Sequence, residues 1–231
     1  MNLVCIHGNS LDSSIFDSIN AEGFQKRTFN LPGHGGRELA NAKSFFDFVD
    51  SVYNDIAHLK DVVLLGSSLG GHIAHHLLNK MNPLALVTIS SPPLNLETVA
   101  RAFAPNPVGQ LLFQTELSGL EAHSLADSLL SLRRDLVPRL TALIEATNPQ
   151  ARGYIASSLI KGEFLDEVAL IKAFKGTKIL VVPSMDSMVN RDYMKSVDYA
   201  QVMELEGNHI LTWDNPKALN DFLSRELAKV R

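Results

Sequence analysis

The sequence predicts an α/β protein built on a mostly parallel, doubly wound sheet. Short apolar runs without polar alternation, at residues 3–6, 62–65, 84–89 and 178–182, have the pattern of strands buried on both faces. They alternate with segments whose apolar residues recur at helical spacing, which is the order that lays parallel strands side by side. Several of the runs stop at loops dense in Gly, Pro, Ser and His.

The first strand, residues 3–6, stops at His7-Gly8. A weaker strand at 27–30 ends in Leu31-Pro32-Gly33-His34-Gly35-Gly36, a tight loop by composition. Ser44 is placed to cap a helix carrying Phe45, Phe48, Val49, Val52 and Ile56 on one face. The strand at 62–65 runs into Gly66-Ser67-Ser68-Leu69-Gly70-Gly71, and Ile73, Ala74, Leu77 and Leu78 then recur at helical spacing, so a strand, a sharp turn and a helix follow one another. Further strands fall at 84–89, 178–182 and 201–205.

Between Ser90-Ser91-Pro92-Pro93 and residue 178 lie about eighty residues with no strand pattern. They read as a helical insertion, or lid, at approximately 94–175, within a single domain spanning 1–231. Pro138 and Pro149 break it internally, and Gly162 and Gly176 suit helix ends, so several short helices are expected.

Composition narrows the partners. The chain has 231 residues, 45% of them hydrophobic, enough for one substantial core. A net charge of −4, with no run of five or more like charges, points away from nucleic acid and from an anionic membrane. No stretch approaches the ~18 apolar residues of a membrane span, and the first residues lack the features of a secretory signal. The single cysteine, Cys5, leaves no intramolecular disulfide and fits a reducing compartment, so a cytoplasmic protein with a small-molecule substrate is expected. Oligomeric state is not legible.

Gly66-x-Ser68-x-Gly70 between a strand and a helix fits a nucleophile elbow, whose small flanking residues let a strained turn present the serine hydroxyl. The following helix aims its N-terminal N–H groups at the same spot. Serine needs a base, and the base needs an orienting group. Past the cluster His72, His75 and His76, the remaining histidines are His123, inside the helical insertion, and His209, just beyond the last strand. His209 is the better base, because sites on parallel sheets gather at the carboxyl ends of strands. Asp186 follows the strand at 178–182 and completes the order Ser, Asp, His; Asp192 and Asp198 are rivals in or beyond the next helix.

With His7-Gly8, Leu31-Pro32-Gly33-His34-Gly35, the Gly66 to Gly71 motif, Asp186 and Gly207-Asn208-His209 in place, the chain resembles the α/β-hydrolase superfamily over its whole length. The resemblance implies that the backbone N–H groups of Asn9 and Leu69 form the oxyanion hole, that His7 is structural, and that no cofactor is needed. Three positions depart from common family patterns: Phe16 in place of a tryptophan, Asn30 in place of an aspartate, and no glycine beside Pro183.

The expected activity is hydrolysis of a small carboxylic ester through an acyl-enzyme. Thioester, amide or carbon–carbon bond cleavage and cofactorless lyase chemistry use the same constellation, and a ligand receptor with little turnover is the reading from another class. Ser68 at the elbow disfavours an aspartate-nucleophile dehalogenase.

Other residue groups take the plainer reading. His72 and His76 share a helix face, but no carboxylate partner is evident for them in sequence, so no metal site is expected. Arg133, Arg134, Arg139 and Arg152 read as a solvated helix face interspersed with Asp127, Asp135 and Glu145. Leu129, Leu132, Leu136, Leu140, Leu143 and Ile144 read as packing between insertion and core.

Overall fold

The computed structural model describes residues 1–230. In chain order the elements are β1 (Asn2–Ile6), β2 (Gln25–Thr28), α1 (Phe45–Ile56), β3 (Val62–Ser67), α2 (Leu69–Leu77), β4 (Ala85–Ile89), α3 (Val99–Ala102), α4 (Gly119–Leu129), α5 (Val137–Ala146), α6 (Pro149–Ile160), α7 (Glu167–Ala173), β5 (Thr177–Pro183), α8 (Arg191–Lys195), β6 (Gln201–Leu205), α9 (Leu211–Asp214) and α10 (Pro216–Leu227), with short 3-10 turns between some of them. The six strands form one sheet in the order β2-β1-β3-β4-β5-β6, and every pairing is parallel. All carboxyl ends therefore open on one edge.

The central strands β3 and β4 are buried at every position because both faces are covered. Leu3, Cys5, Val63, Leu65, Val87 and Val181 turn to the side where Ile15, Phe16, Phe222 and Leu223 pack. Val4, Ile6, Leu64 and Leu86 turn to the side packed by Phe48, Val52, Ile73 and Leu77. The capping box at Ser44 is present: Ser44 accepts from the Asp47 N–H and Asp47 accepts from the Ser44 N–H. The weak strand lies slightly earlier than 27–30, at Gln25–Thr28, on the sheet edge where few side chains are buried and the apolar signal is correspondingly thin.

The segment between β4 and β5 contains α3 to α7. It covers both faces at the carboxyl edge: α4 and α5 join the core on the Phe222 side, and α6 and α7 the core on the Phe48 side. Pro138 and Pro149 stand at the starts of α5 and α6, where they divide the insertion into short helices. Leu129, Leu140 and Ile144 are buried as expected, whereas Leu132 is exposed.

Arg152 departs from the solvated face expected for it. It is buried, and its guanidinium donates to the carbonyls of Gln114, Thr115 and Ile144 at 2.9–3.1 Å. These carbonyls lie where α5 ends and where the chain leads into α4, and that of Ile144 also accepts the Thr147 N–H at 3.4 Å. Asn30, at the position of the expected aspartate, accepts from the Ser13 N–H and donates to the Gly35 carbonyl, a pair of tasks an ionised carboxylate cannot perform. Phe16 is fully buried.

His7 and His34 are enclosed beneath the loops. His7 accepts the Leu31 N–H on Nε2, so it ties two loops together as a structural residue. Burial lowers the pKa of His7 to about 4, and burial together with the neighbouring His7 lowers that of His34 to about 3.

Two measurements check these packing arguments. Arg152→Met removes these three hydrogen bonds and is expected to cost about 2–4 kcal/mol in urea unfolding at an unchanged m-value. Both histidines protonate near pH 6.5 when unfolded but resist protonation when folded, so their contribution is complete above that pH and is lost as pH falls toward the folded values. The unfolding free energy from urea titration is expected to drop between pH 7 and pH 5, by about 1 kcal/mol per pH unit for each histidine.

Candidate active site

Ser68 sits between β3 and α2 with φ 54° and ψ −121°, a conformation that L-residues adopt only when their surroundings force it. The forcing is visible at the flanking glycines. A Cβ on Gly66 would stand 2.4 Å from the Gly70 carbonyl oxygen, and one on Gly70 would stand 2.0 Å from that of Ile6. The spacing of the motif is thus the spacing of two backbone-to-backbone contacts, which press the start of α2 against β1 and β3. Leu69 is the first residue of α2, where helix geometry leaves N–H groups without internal partners.

Around Ser68 the structure brings together residues from the carboxyl ends of β1, β3, β5 and β6. His209 Nε2 is 3.0 Å from Ser68 Oγ, and His209 Nδ1 is 2.9 Å from Asp186 Oδ2. The other Asp186 oxygen accepts from the Met188 N–H at 2.8 Å. Asp186 and His209 are both buried. Burial pushes the Asp186 carboxyl up, but His209 beside it and the hydrogen bonds it accepts outweigh this and hold it below the usual carboxylate range. Asp192 lies in α8 and Asp198 beyond it, and neither is paired with His209; His123 lies in α4.

Gly8 follows β1, and a Cβ there would be 3.1 Å from the Cβ of Ser68, so the backbone leading to Asn9 passes directly against the serine. The Asn9 side chain is itself committed: Nδ2 donates to the Leu112 carbonyl at 2.7 Å, and Oδ1 faces His34 Nε2 at 3.3 Å.

The loop carrying His209 is held by Asp214, a residue that no motif or spacing singles out. This buried carboxylate accepts the Asn208 N–H on Oδ2 and the N–H groups of Ser131, Leu132 and Arg133 on Oδ1, all at 2.7–3.0 Å. Asn208 adds bonds to the Ser128 carbonyl and Ser131 Oγ. The only sequence signal was Asn208 beside His209; the three N–H donors are some 80 residues away.

A cavity of about 230 Å³ opens at Ser68 and His209. Apolar side chains such as Leu112, Phe113, Ile155, Leu159 and Met188 line much of it, with Asn9, Asn106, Gln110 and His72 as polar members. Insertion residues supply much of the wall.

The expectation that His72 and His76 lack a carboxylate partner is corrected. Glu167, from α7, lies 3.0 Å from His72 Nδ1, 2.9 Å from His75 Nδ1 and 3.4 Å from His76 Nδ1. Nothing in sequence linked residues more than ninety positions apart. His72, His75 and Glu167 are metal-ligand types in proximity, but the separations are those of hydrogen bonds, and the carboxylate also accepts the Leu94 N–H at 2.9 Å. His72 and His75 thus share one carboxylate through Nδ1, while His75 Nε2 is buried without a partner.

Residues 3–222 match the family model described as the alpha/beta hydrolase family, and the chain belongs to that family. Among solved structures it is similar to an N-acyl homoserine lactonase, AidH, complexed with N-butanoyl homoserine, at 21% identity and TM-score 0.88 over 99% of this chain and 89% of that one. It is also similar to a thermophilic esterase from Thermogutta terrifontis, at 17% identity and TM-score 0.78 over 100% of this chain and 90% of that one. An esterase from Exiguobacterium antarcticum matches at 16% identity and TM-score 0.76 over 100% and 91%. No curated protein sequence matches the chain. Family and fold together make it a hydrolase. Among the described residues no helix is long and apolar enough to cross a membrane.

Two substitutions separate the elements of this site. Gly70→Ala forces a Cβ into the Ile6 carbonyl and is expected to cost about 3 kcal/mol of stability, read by chemical denaturation. Asp214→Ala strands backbone donors in both the His209 loop and the insertion; a loss of about 2–4 kcal/mol is expected, with hydrogen exchange rising at Asn208 and at residues 131–133 together.

Proposed function

We propose that this protein hydrolyses a small carboxylic ester through an acyl-enzyme on Ser68. The observation that carries the reading is the continuous line from Ser68 Oγ through His209 to Asp186, with steps of 3.0 and 2.9 Å, opening on a largely apolar cavity. In this reading His209 Nε2 takes the serine proton while Oγ attacks the ester carbonyl carbon. The carbonyl oxygen becomes an oxyanion held by the backbone N–H groups of Asn9 and Leu69. The carbon–oxygen bond to the alcohol breaks as His209 returns the proton to the leaving oxygen. Water, deprotonated by His209, then attacks the acyl-serine and releases the acid and free Ser68. Asp186 keeps the proton on Nδ1 in the resting state and stabilises the imidazolium as it forms.

No step calls on a cofactor. The strained elbow supports the reading because the structure spends stability to present one hydroxyl. Lactones are cyclic esters and fall within the proposed class. Thioesters and amides would pass through the same intermediates, but ester cleavage asks for nothing beyond the groups named.

Purified protein is expected to form a fluorophosphonate adduct at Ser68, located by peptide mass spectrometry, and Ser68→Ala and His209→Ala should both abolish it. Wild-type protein should hydrolyse short-chain p-nitrophenyl esters, and Asp186→Asn should lower kcat by up to about 10⁴-fold, the effect of disturbing the histidine tautomer. A folded wild type that takes no label would sink the proposal and favour a binding module with little turnover.

A further inference from the structure

The cavity at Ser68 has a smaller neighbour of about 20 Å³. Phe45, Leu94, Phe164 and Glu167 line the smaller one alone, whereas Leu69, His72 and Leu159 line both. Those three side chains are therefore the partition between the two. Beyond it the wall is apolar apart from Glu167, whose oxygens are engaged by His72, His75 and the Leu94 N–H. At its present size the smaller cavity has room for about one group as large as a water or a methyl.

The three members of the partition differ in how they are held. Leu69 is the first residue of α2, which the Gly70 contact presses against the Ile6 carbonyl, so it cannot shift without moving Ser68. His72 lies one turn further along the same helix, with Nδ1 3.0 Å from Glu167 and its ring centroid 6.2 Å from that of Phe103. Leu159 comes instead from the last turn of α6, in the insertion, and packs on the small core of Leu94, Ala102 and Tyr193. It is the one member whose size can change without disturbing the helix that presents the nucleophile.

The chemistry at Ser68 decides which part of an ester points toward this partition. The leaving oxygen must come within reach of His209 Nε2, which returns the proton to it, so the alcohol portion departs on the His209 flank. That flank includes Met188, from the loop after Asp186, with Asn106 Nδ2 3.4 Å from its sulfur. Met188 belongs to the core on the Phe222 side of the sheet. Leu69 and Ile155 line the cavity from the core on the Phe48 side, and the wall they begin continues along α6 to Leu159. The acyl chain is left with this second, apolar flank.

We infer that Leu159 determines acyl-chain specificity: the site takes esters of unbranched aliphatic acids up to the length at which the chain end meets Leu159, and the smaller cavity is the unused continuation of the acyl site. The inference rests on the esterase reading and names its substrate class. Leu159 meets the end of the chain and none of the reacting atoms.

The test measures kcat/KM for p-nitrophenyl esters of unbranched acids from acetate to dodecanoate, and for acetate esters of unbranched alcohols from ethanol to decanol. In the wild type the acyl series should rise by roughly fourfold per methylene, pass through a maximum and fall. Leu159→Ala joins the two cavities and should move that maximum to acids longer by about three carbons, the number the substitution removes. Leu159→Phe should move it to shorter acids, because the smaller cavity has no room for the added ring atoms and the ring must enter the larger one. The alcohol series should keep its profile in both variants.

An acyl maximum that stays in place in folded Leu159→Ala overturns the inference; if that variant does not fold, the same result in Leu159→Phe does so. A shift in the alcohol series in place of the acyl series overturns it too, as does a wild-type acyl series with no maximum up to dodecanoate. Failure to hydrolyse any ester of either series, by protein whose Ser68 takes the fluorophosphonate, removes the esterase reading and this inference with it. Turnover with an acyl profile indifferent to residue 159 removes this inference alone.

Discussion

The site depends on one contact: the start of α2 packed backbone to backbone against β1 and β3. Gly70 lies so close to the Ile6 carbonyl, and Gly66 so close to Gly70, that no side chain fits between them. This contact fixes the positive φ of Ser68 and sets the N–H of Leu69 beside it. It also brings the end of β1, with Gly8 and Asn9, against the serine. The parallel sheet then needs only to deliver two more loops to the same edge, after β5 and β6, for Asp186 and His209 to fall into a hydrogen-bonded line with Ser68.

How far the sequence discloses this follows from the range of the forces involved. Strands β3 and β4 are legible because burial on both faces demands unbroken apolar runs, and α1 because one apolar stripe and a Ser44–Asp47 cap declare it. Ser68 is legible because the steric rule at Gly66 and Gly70 is local. Asp186 and His209 are legible through topology, as residues just past strand ends. Edge strand β2 is blurred because few of its side chains are buried.

What escaped reading is long-range polar pairing. Asp214 has the appearance of any helix-end aspartate until the fold brings the 131–133 backbone to it. Arg152 belongs by pattern with its exposed neighbours, and only the fold shows that it supplies donors to carbonyls in the insertion. Glu167 sits in an ordinary helix start, with an acid in its first turn, and its histidine partners are on a helix formed by residues far earlier in the chain. Apolar periodicity records which face of an element is buried. It does not record which buried polar atoms meet.

The bond from Asn9 Nδ2 to the Leu112 carbonyl has a consequence for how the protein would be rebuilt. Together with the hold of Asp214 on residues 131–133, it means the insertion is wired into two of the loops that surround Ser68, rather than resting on them as a removable cover. A graft that exchanged the insertion for that of a relative would unseat the Asn9 loop and the His209 loop together, unless positions 9, 208 and 214 were exchanged with it. In this chain the exchangeable unit is therefore the insertion together with its anchors, and two of these, Asn208 and Asp214, lie outside the cavity wall.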